Sequence, residues 1–295
     1  MKSAIVILNY NDAERTLKLV RQILKYSMPE NIVLVDNAST DGSIKRLKAL
    51  SSDRVAVVSA ETNGGYASGN SLGISYALKN YSPDVLFLAN PDVSFDEGTA
   101  MKMAECLRDN PQIGLVAPLV RQGYNAWELP TFPKVLLSMF LISFTLHKKR
   151  VRRQILSDCR DIVPVDVVEG SFFALSPKAY IKVHGFDRRT FLYGEEAMLA
   201  YRLKKAGYSE AVLRDCRYEH LHSASIRKIY RSSKAKAFVH FKESFKIYNR
   251  HYLHTGALED GIFDICYFLG FLERKLYDLF HPKGELMYSI RKRFP

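Results

Sequence analysis

Two periodicities alternate along the first third of the chain. Short, continuously apolar segments at 4–8, 32–36, 55–60 and 85–90 are each followed by a stretch with apolar residues at helical spacing. The apolar positions of these stretches are Ala13, Leu17, Val20 and Leu24, then Ile44, Leu47 and Leu50, then a segment at 66–79, then Ala100, Met103 and Leu107. Apolar strands separated by amphipathic helices predict an α/β fold with a parallel sheet covered on both faces.

Polar loops follow all four predicted strands. They are Asn9 to Asn11, Asp36 to Gly42, Asn63 to Asn70 and Asn90 to Asp92. Because ligands of such sheets bind outside the carboxyl ends of the strands, we expect these loops to converge on one site. Taken singly, each loop has a simpler explanation. Its acids and hydroxyls suit turns and helix N-caps, and its glycines suit positive φ or close helix packing.

The glycine-rich third loop differs from the familiar phosphate-binding motifs. Gly64, Gly69 and Ser71 have P-loop spacing, but Asn70 occupies the position of the lysine. A G-x-G-x-x-G dinucleotide pattern is also missing from the loop. The sequence therefore argues against an ATPase and against a dehydrogenase.

Positive charge is concentrated in the second half of the chain. The 43 Lys and Arg residues exceed the 31 Asp and Glu residues by 12, and basic residues crowd at 134–153 and from 214 onward among aromatic and aliphatic ones. Nucleic acid, anionic lipid and a merely solvated surface all suit that pattern. No recognised nucleic-acid-binding motif accompanies it, so nucleic acid is not expected as a partner.

The four cysteines and the apolar segments indicate the cellular compartment in which the protein is expected. The cysteines have no metal-site spacing, and the N-terminal MKSAIVILNYN lacks the cleavage site of a secretory signal. The longest nearly uncharged apolar stretch, Val135 to Leu146, is shorter than the roughly 20 residues that span a bilayer. These features predict a cytoplasmic protein.

Six ordered strings resemble those of family 2 glycosyltransferases, particularly the rhamnosyltransferase-like members that build bacterial surface polysaccharides. They are IVILNYN at 5–11, LVDNASTDGS at 34–43, the loop at 63–70, LANPDV at 88–93, GFDRRTFLYGEE at 185–196 and HLHSAS at 220–225. The resemblance implies a GT-A fold, with a mainly parallel sheet covered by helices. It implies a catalytic domain at 1–225, in which residues 1–120 bind the nucleotide sugar and residues 121–225 receive the acceptor.

Residues 226–295 carry none of these strings and form a basic, helical extension in this interpretation. Apolar and aromatic residues lie on helical faces flanked by Lys and Arg, as in helices that lie in a membrane interface. Packing of the same faces on the catalytic domain explains the pattern equally well. Both arrangements remain open, and they are compatible with each other.

The resemblance assigns the donor site to the first three loops. Asn9, Asn11 and Asp36 would hold the base and ribose, and Asn63 and Gly64 would lie beside the nucleotide. The donor would be a nucleotide-diphosphate sugar of the dTDP-rhamnose or UDP-hexose type.

The fourth loop corresponds to the D-x-D motif of the family. Asp92 would be the carboxylate that faces Mg²⁺ or Mn²⁺, and Asn90 replaces the first acid. One carboxylate plus the diphosphate is a sufficient anchor, because these cations prefer oxygen ligands and keep several waters. His220 matches a histidine near the metal, and its spacing to Ser223 and Ser225 favours it over His222.

An acidic pair after the Phe191 to Gly194 stretch matches the family's catalytic base. Glu196 is the predicted base and Glu195 the second candidate. In the usual motif of the family a further acidic residue follows two positions after the pair, where this chain has Met198. Acids are also favoured at helix N-termini by the helix dipole, which is the alternative explanation for the pair.

These assignments predict an inverting glycosyltransferase that acts on a saccharide or lipid-linked saccharide acceptor, with peripheral contact to the inner face of the plasma membrane. A rival interpretation is a homologue that binds nucleotide sugars without turnover, as the change at Met198 suggests. Assembly as a homodimer is left open.

Overall fold

The computed structural model describes residues 1–220 and 234–280. The strands in these ranges are β1 (Ser3–Asn9), β2 (Asn31–Asp36), β3 (Val55–Ser59), β4 (Val85–Ala89), β5 (Val93–Phe95), β6 (Ile113–Val120), β7 (Ala126–Trp127), β8 (Ile162–Val165), β9 (Val167–Val168), β10 (Phe172–Leu175) and β11 (Ser209–His220). Residues 222, 223 and 225, the expected domain boundary after 225 and the tail at 281–295 lie outside the described residues.

Helices connect and cover the strands. They are α1 (Ala13–Ile23), α2 (Ser43–Lys48), α3 (Gly65–Tyr81), α4 (Glu97–Asp109), α5 (Phe132–Ser138), α6 (Leu141–Ser157), α7 (Pro177–Lys182), α8 (Glu195–Lys205), α9 (Lys234–Tyr248) and α10 (Ala257–Phe280), with a π-helical turn at Asn249–Leu253 between the last two. The alternation that the hydrophobic pattern predicts for the first third of the chain is confirmed.

The central sheet has nine strands in the described ranges. Its order is β3-β2-β1-β4-β10-β6-β11-β5, and β8 pairs with β11. The strands β1 to β4 are mutually parallel where they pair, and β6 is parallel to β11. The strand β10 runs antiparallel between β4 and β6, and β5 and β8 are antiparallel to β11. The sheet is therefore mixed, with a mostly parallel centre.

Both faces of the sheet are buried, which explains why its strands are apolar throughout. Alternate side chains of β1 enter opposite cores: Ile5 and Ile7 pack with α1, α2 and α4, whereas Ala4 and Val6 pack on the side of α3, α7 and α8. Close approach of α3 requires glycine at one of its turns, since a Cβ at Gly69 would lie 2.4 Å from a methyl of Leu8. For Gly69 the packing explanation is the correct one.

The apolar stretch at 135–146 does not form one segment. It is divided between the end of α5 and the start of α6. No helix within residues 1–220 and 234–280 has the length and apolar character needed to cross a membrane.

The helices α9 and α10 pack on the catalytic part of the chain. A third core cluster joins Phe245, Tyr248 and Phe263 of this region to Ala197 and Met198 of α8. Met198 is fully buried there. Of the two alternatives for the extension, packing on the catalytic part of the chain is therefore present, and the apolar side chain of Met198 is part of that core.

Candidate active site

The first two loops are joined through a buried carboxylate. The side-chain amide of Asn9 donates to Asp36 Oδ1 over 2.9 Å, and the backbone N–H of Ser39 donates to Asp36 Oδ2 over 3.0 Å. The side-chain oxygen of Asn9 accepts from the Thr16 hydroxyl at 2.8 Å. Asn9 is fully buried and its amide is engaged by the protein, so it supports Asp36 from within the fold.

Asn11 connects the same two loops nearer the surface. It adopts a left-handed backbone with φ of 52°, its N–H donates to Ser39 Oγ at 3.0 Å, and its side-chain oxygen accepts from the Thr40 N–H at 2.8 Å. Asparagine tolerates this conformation better than most residues do. The loop after β2 is thereby held against the loop after β1.

The second and third loops are joined by a pair of asparagines. The Asn37 amide donates to Asn63 Oδ1 over 2.8 Å, and the same oxygen accepts from the N–H of Gly65 over 3.1 Å. Gly64 directly precedes the first residue of α3. Three of the predicted polar loops thus form one connected edge, as the strand order requires.

The fourth loop follows β4, the neighbour of β1, and carries Asp92. The Asn90 N–H donates to the carbonyl of Ser171 over 2.8 Å, and the Val93 N–H donates to the carbonyl of Asn90 over 3.3 Å. The strand β5 then pairs antiparallel with β11, with Val93 opposite His220. This register places Asp92 beside His220.

Asp92 and His220 form a nearly buried pair. The distance from His220 Nε2 to Asp92 Oδ1 is 3.3 Å, and the two side chains are only 7% and 6% exposed. Burial lowers the pKa of His220, but the hydrogen bond with Asp92 and the charges of Glu169 and Asp92 outweigh it and raise that pKa overall. His220 is the last residue of β11.

Glu169 is a site residue that the sequence interpretation missed. Its Oε1 lies 3.8 Å from His220 Nδ1, and its Oε2 accepts from the Tyr218 hydroxyl at 3.0 Å. The Ser171 hydroxyl also donates to Oε2 and lies 2.8 Å from the Tyr218 hydroxyl.

Across residues 1–220 and 234–280, no group of three or more His, Cys, Asp or Glu side chains has an arrangement that could hold a metal ion.

The acidic pair lies at the start of α8, as the helix-terminus explanation also requires. Glu195 is buried, with 2% of its surface exposed, whereas Glu196 is half-buried. Glu196 lies against Gly170: a Cβ at that position would be 2.6 Å from Glu196 Oε1. The more accessible member of the pair is therefore the one that was predicted to be the base.

The surroundings of the pair weaken its acidity. The pKa of Glu196 is raised from 4.5 to about 7, mainly by burial and also by the negative charge of Glu169. Hydrogen bonds from the N–H groups of Glu196 and Gly170, and the positive charge of Lys148, act in the opposite direction. Burial, and then the charge of Glu196, raise the pKa of Glu195 well above its usual value. A carboxylate with a pKa near 7 suits general base catalysis at neutral pH.

The start of α3, beside the expected nucleotide, is hydrogen-bonded to the segment that precedes the acidic pair. The N–H of Tyr66 donates to the Phe191 carbonyl over 3.1 Å, and its hydroxyl donates to the Gly170 carbonyl over 2.6 Å. Gly65 has φ of 81°, and a Cβ there would lie 2.0 Å from the Phe191 oxygen. Only glycine permits this approach between the two loops.

The helical extension supports the same segment from outside. The Ser244 hydroxyl donates to the Leu192 carbonyl over 2.9 Å, and the Tyr252 hydroxyl donates to Asp187 Oδ2 over 2.8 Å. Arg189 also pairs with Asp187 Oδ2, at 2.6 Å. The loop that leads to the acidic pair is thus held by α9 and the π-helical turn as well as by α3.

The sequence model of Glycosyl transferase family 2 matches residues 4–166, which is more than half of the chain. The chain belongs to glycosyl transferase family 2. This confirms the resemblance to the family, and the first four of the six strings lie within the matched range. Curated relatives of this family 2 glycosyltransferase are named rhamnosyl- and hexosyltransferases.

Two such relatives have sequence similarity over much of the chain. The low-salt glycan biosynthesis hexosyltransferase Agl10 of Haloferax volcanii is 24% identical over 204 residues, which cover 68% of this chain and 61% of Agl10. An N-acetylglucosaminyl-diphospho-decaprenol L-rhamnosyltransferase of Mycobacterium tuberculosis is 26% identical over 195 residues, which cover 61% and 62% of the two chains. The matched part is thus about three fifths of each relative.

The fold of the family 2 glycosyltransferase is also found in solved structures. Mannosyltransferase PcManGT from Pyrobaculum calidifontis, in complex with GDP-Man and Mn²⁺, superposes with a TM-score of 0.54 at 14% identity, covering 99% of this chain and 79% of PcManGT. This likeness confirms the GT-A type of fold.

Proposed function

We propose that this family 2 glycosyltransferase transfers a sugar from a nucleotide-diphosphate donor to a hydroxyl of a saccharide acceptor, with inversion at the anomeric carbon. One observation carries the proposal: the three-residue segment Glu169 to Ser171 joins the two halves of the site. At one end Glu169 faces His220, which pairs with Asp92, and next to it Gly170 lies against Glu196. The cation-side pair and the base-side acid therefore lie next to consecutive residues of one short segment, which supports their assignment to one site.

The donor would lie along the edge formed by the first three loops. Asp36 offers a fixed carboxylate for ribose hydroxyls, and Asn11, Asn63 and Gly64 border the same edge. The names of the relatives, a hexosyltransferase and an L-rhamnosyltransferase, support a UDP-hexose or dTDP-rhamnose type of donor.

The residues near Asp92 fit a divalent cation. A carboxylate and an imidazole 3.3 Å apart offer oxygen and nitrogen donors that suit Mn²⁺, and the diphosphate and water would complete its shell. Mn²⁺ accompanies the nucleotide sugar in PcManGT. Asp92 and His220 would hold Mg²⁺ or Mn²⁺, and Asn90 shapes the turn before them. When bound, the cation stabilises the negative charge that grows on the leaving diphosphate.

Glu196 would act as the base in a single displacement. Its carboxylate takes the proton of the acceptor hydroxyl while that oxygen forms the new bond to the anomeric carbon. The bond from this carbon to the diphosphate oxygen breaks at the same time, and the nucleoside diphosphate keeps the electron pair. Glu195 is more deeply buried than Glu196, so it is the less accessible of the two acids and the second candidate for the base.

The acceptor would be presented at a membrane surface as a lipid-linked saccharide. Support comes from an apolar stripe of exposed side chains on one face of α10. Its members are Leu258, Ile262, Ile265, Leu269, Leu272, Leu276 and Leu279, joined by Phe268 and Phe280. Exposed Ile142 and Leu146 of α6 add to the apolar surface, and exposed Arg153 and Lys275 add positive charge that attracts anionic lipid.

A panel of nucleotide sugars with and without Mn²⁺ tests the proposal. Thermal unfolding should shift upward with one donor and depend on the cation, because a ligand of the native state raises apparent stability. Transfer of that sugar to a saccharide acceptor should follow, with the anomeric configuration inverted in the product by NMR. Binding without transfer to any acceptor would instead support a homologue that binds donors without turnover.

Two variants separate the assigned roles. Asp92→Asn should weaken cation-dependent donor binding in calorimetry, and Asp84→Asn, at an exposed position, is its control. Glu196→Gln should abolish transfer while nucleotide affinity stays close to that of the wild type. Wild-type turnover in Glu196→Gln would assign the base to another residue.

A further inference from the structure

Lys148 of α6 reaches into an aromatic cage. Its ammonium nitrogen lies 4.4 Å from the ring centroid of Phe144, 5.0 Å from that of Trp127 and 5.5 Å from that of Tyr124. Each ring face attracts the cation electrostatically. Three rings together hold the end of a long, flexible side chain in one place.

The cage is built on the strand pair that leads to the candidate site. Trp127 ends β7 and pairs with Val167 of β9, and the N–H of Glu169 donates to the Asn125 carbonyl over 2.8 Å. The residue after Glu169 is Gly170, against which the Glu196 carboxylate lies. One ring of the cage therefore belongs to this strand pair, and the glycine that lies against the proposed base follows the same pair by two residues.

Several ionisable groups surround Glu196 from different elements. They are Glu195 on α8, Glu169 after β9, Glu210 on β11, Tyr66 on α3 and Lys148 on α6. Burial raises the pKa values of Glu195, Glu210 and Tyr66 well above their usual ranges. Burial lowers the pKa of Lys148, and the charges of Glu169 and Glu196 oppose that effect. Lys148 thus supplies positive charge to a cluster dominated by acids.

We propose that Lys148 is a positioning residue for the reaction: held in its aromatic cage, the ammonium favours the ionised form of the Glu196 carboxyl. The inference rests on the proposed role of Glu196 as the base. A base must be ionised to accept a proton, and a nearby opposite charge favours the ionised form of a carboxyl. Lys148 itself makes and breaks no bond.

The test is the pH dependence of kcat/KM in the full chain. In Lys148→Met the acid limb should move to higher pH, so that turnover below the wild-type midpoint falls about tenfold. The rates should converge with those of the wild type at high pH, and donor affinity should not change. Lys148→Arg keeps the charge and should retain most of the activity, and Lys149→Met, at an exposed neighbour, is the matched control.

A second measurement does not depend on turnover. With ¹³C-carboxyl-labelled glutamate, the resonance lost in Glu196→Gln identifies Glu196, and its NMR titration midpoint should rise in Lys148→Met. An unchanged midpoint, or an equal loss of kcat at every pH, would overturn the role of Lys148. A wrong assignment of the base would give a different result. Glu196→Gln would then retain transfer, while the titration midpoint of Glu196 would still rise in Lys148→Met.

Discussion

The hydroxyl of Tyr66 donates a 2.6 Å hydrogen bond to the carbonyl oxygen of Gly170. Tyr66 is the second residue of α3, beside the expected nucleotide, and Gly170 lies against the proposed base, Glu196. A second bond, from the Tyr66 N–H to the Phe191 carbonyl, fastens the start of α3 to the segment before α8. Two hydrogen bonds from one residue therefore connect the expected donor side of the site to the expected acceptor side.

Removal of that hydroxyl should lower kcat. Tyr66→Phe leaves the Gly170 carbonyl without its donor and should cost about 1 kcal/mol of unfolding free energy. Because the Gly170 segment then shifts against Glu196, we expect transfer to fall more than nucleotide affinity does. Denaturant unfolding and a transfer assay measure the two effects. Tyr76→Phe, on the same helix but outside the site, is the control, and equal kcat in both variants would contradict the connection.

The first third of the fold could be predicted because its strands are buried on both faces. Continuous apolar runs such as Val85 to Ala89 and the helical spacing of Leu17 and Val20 leave one consistent arrangement. The second half lacks such regularity. Strands of two to four residues, such as Val167–Val168, and antiparallel insertions such as Phe172–Leu175 have no periodicity long enough to recognise.

The same difference decides which parts of the site could be predicted. Asp36, Asp92 and Glu196 follow elements with clear patterns or a family string, whereas Glu169 and Lys148 do not. Glu169 reaches the site because β10 inserts between β4 and β6. The cage around Lys148 combines Phe144 of its own helix with Tyr124 and Trp127, a pairing that no sequence periodicity indicates. The Glu-Gly-Ser sequence at 169–171, an acid and a glycine before an apolar strand, was the available signal.

Gly170 should be required for the position of the base more than for stability. In Gly170→Ala the new Cβ would lie 2.6 Å from Glu196 Oε1, the movable end of a flexible side chain. The carboxylate should rotate away at modest energetic cost, so transfer should fall at least about tenfold, as misplacement of a catalytic group does. The thermal midpoint and nucleotide affinity should change little. Gly98→Ala is the control, because a Cβ at Gly98 would make only ordinary van der Waals contact. Full activity of Gly170→Ala would contradict the contact between Gly170 and the carboxylate of Glu196.

The charge of Glu196 should make stability depend on pH. A pKa of about 7 in the folded chain, against 4.5 in the unfolded chain, means that folding opposes ionisation. Stability should therefore fall as pH rises from about 4.5 to about 7 and stay lower above that, by as much as about 3 kcal/mol. Transfer should rise with pH over the same range, because the ionised form is the base.

Glu196→Gln removes this dependence. The variant should unfold at higher denaturant concentration than the wild type at pH 8 and show little gain at pH 4.5. Glu61→Gln, at an exposed position, should change the unfolding free energy equally at both pH values. A difference between wild type and Glu196→Gln that is the same at both pH values would show that burial does not oppose the charge of Glu196.

The apolar stripe on α10 should determine binding to membranes. Ile265 and Leu276 are 64% and 57% exposed, so replacement of both by Glu should leave the fold intact. Loss of two apolar contacts and gain of negative charge should weaken binding to vesicles of phosphatidylglycerol and phosphatidylcholine at least about tenfold in a flotation assay. Met101→Glu, at a 44% exposed position on α4, should float like the wild type. Equal flotation of all three proteins, or a wild-type dimer that becomes a monomer in the double variant, would assign the stripe to contact with something other than lipid.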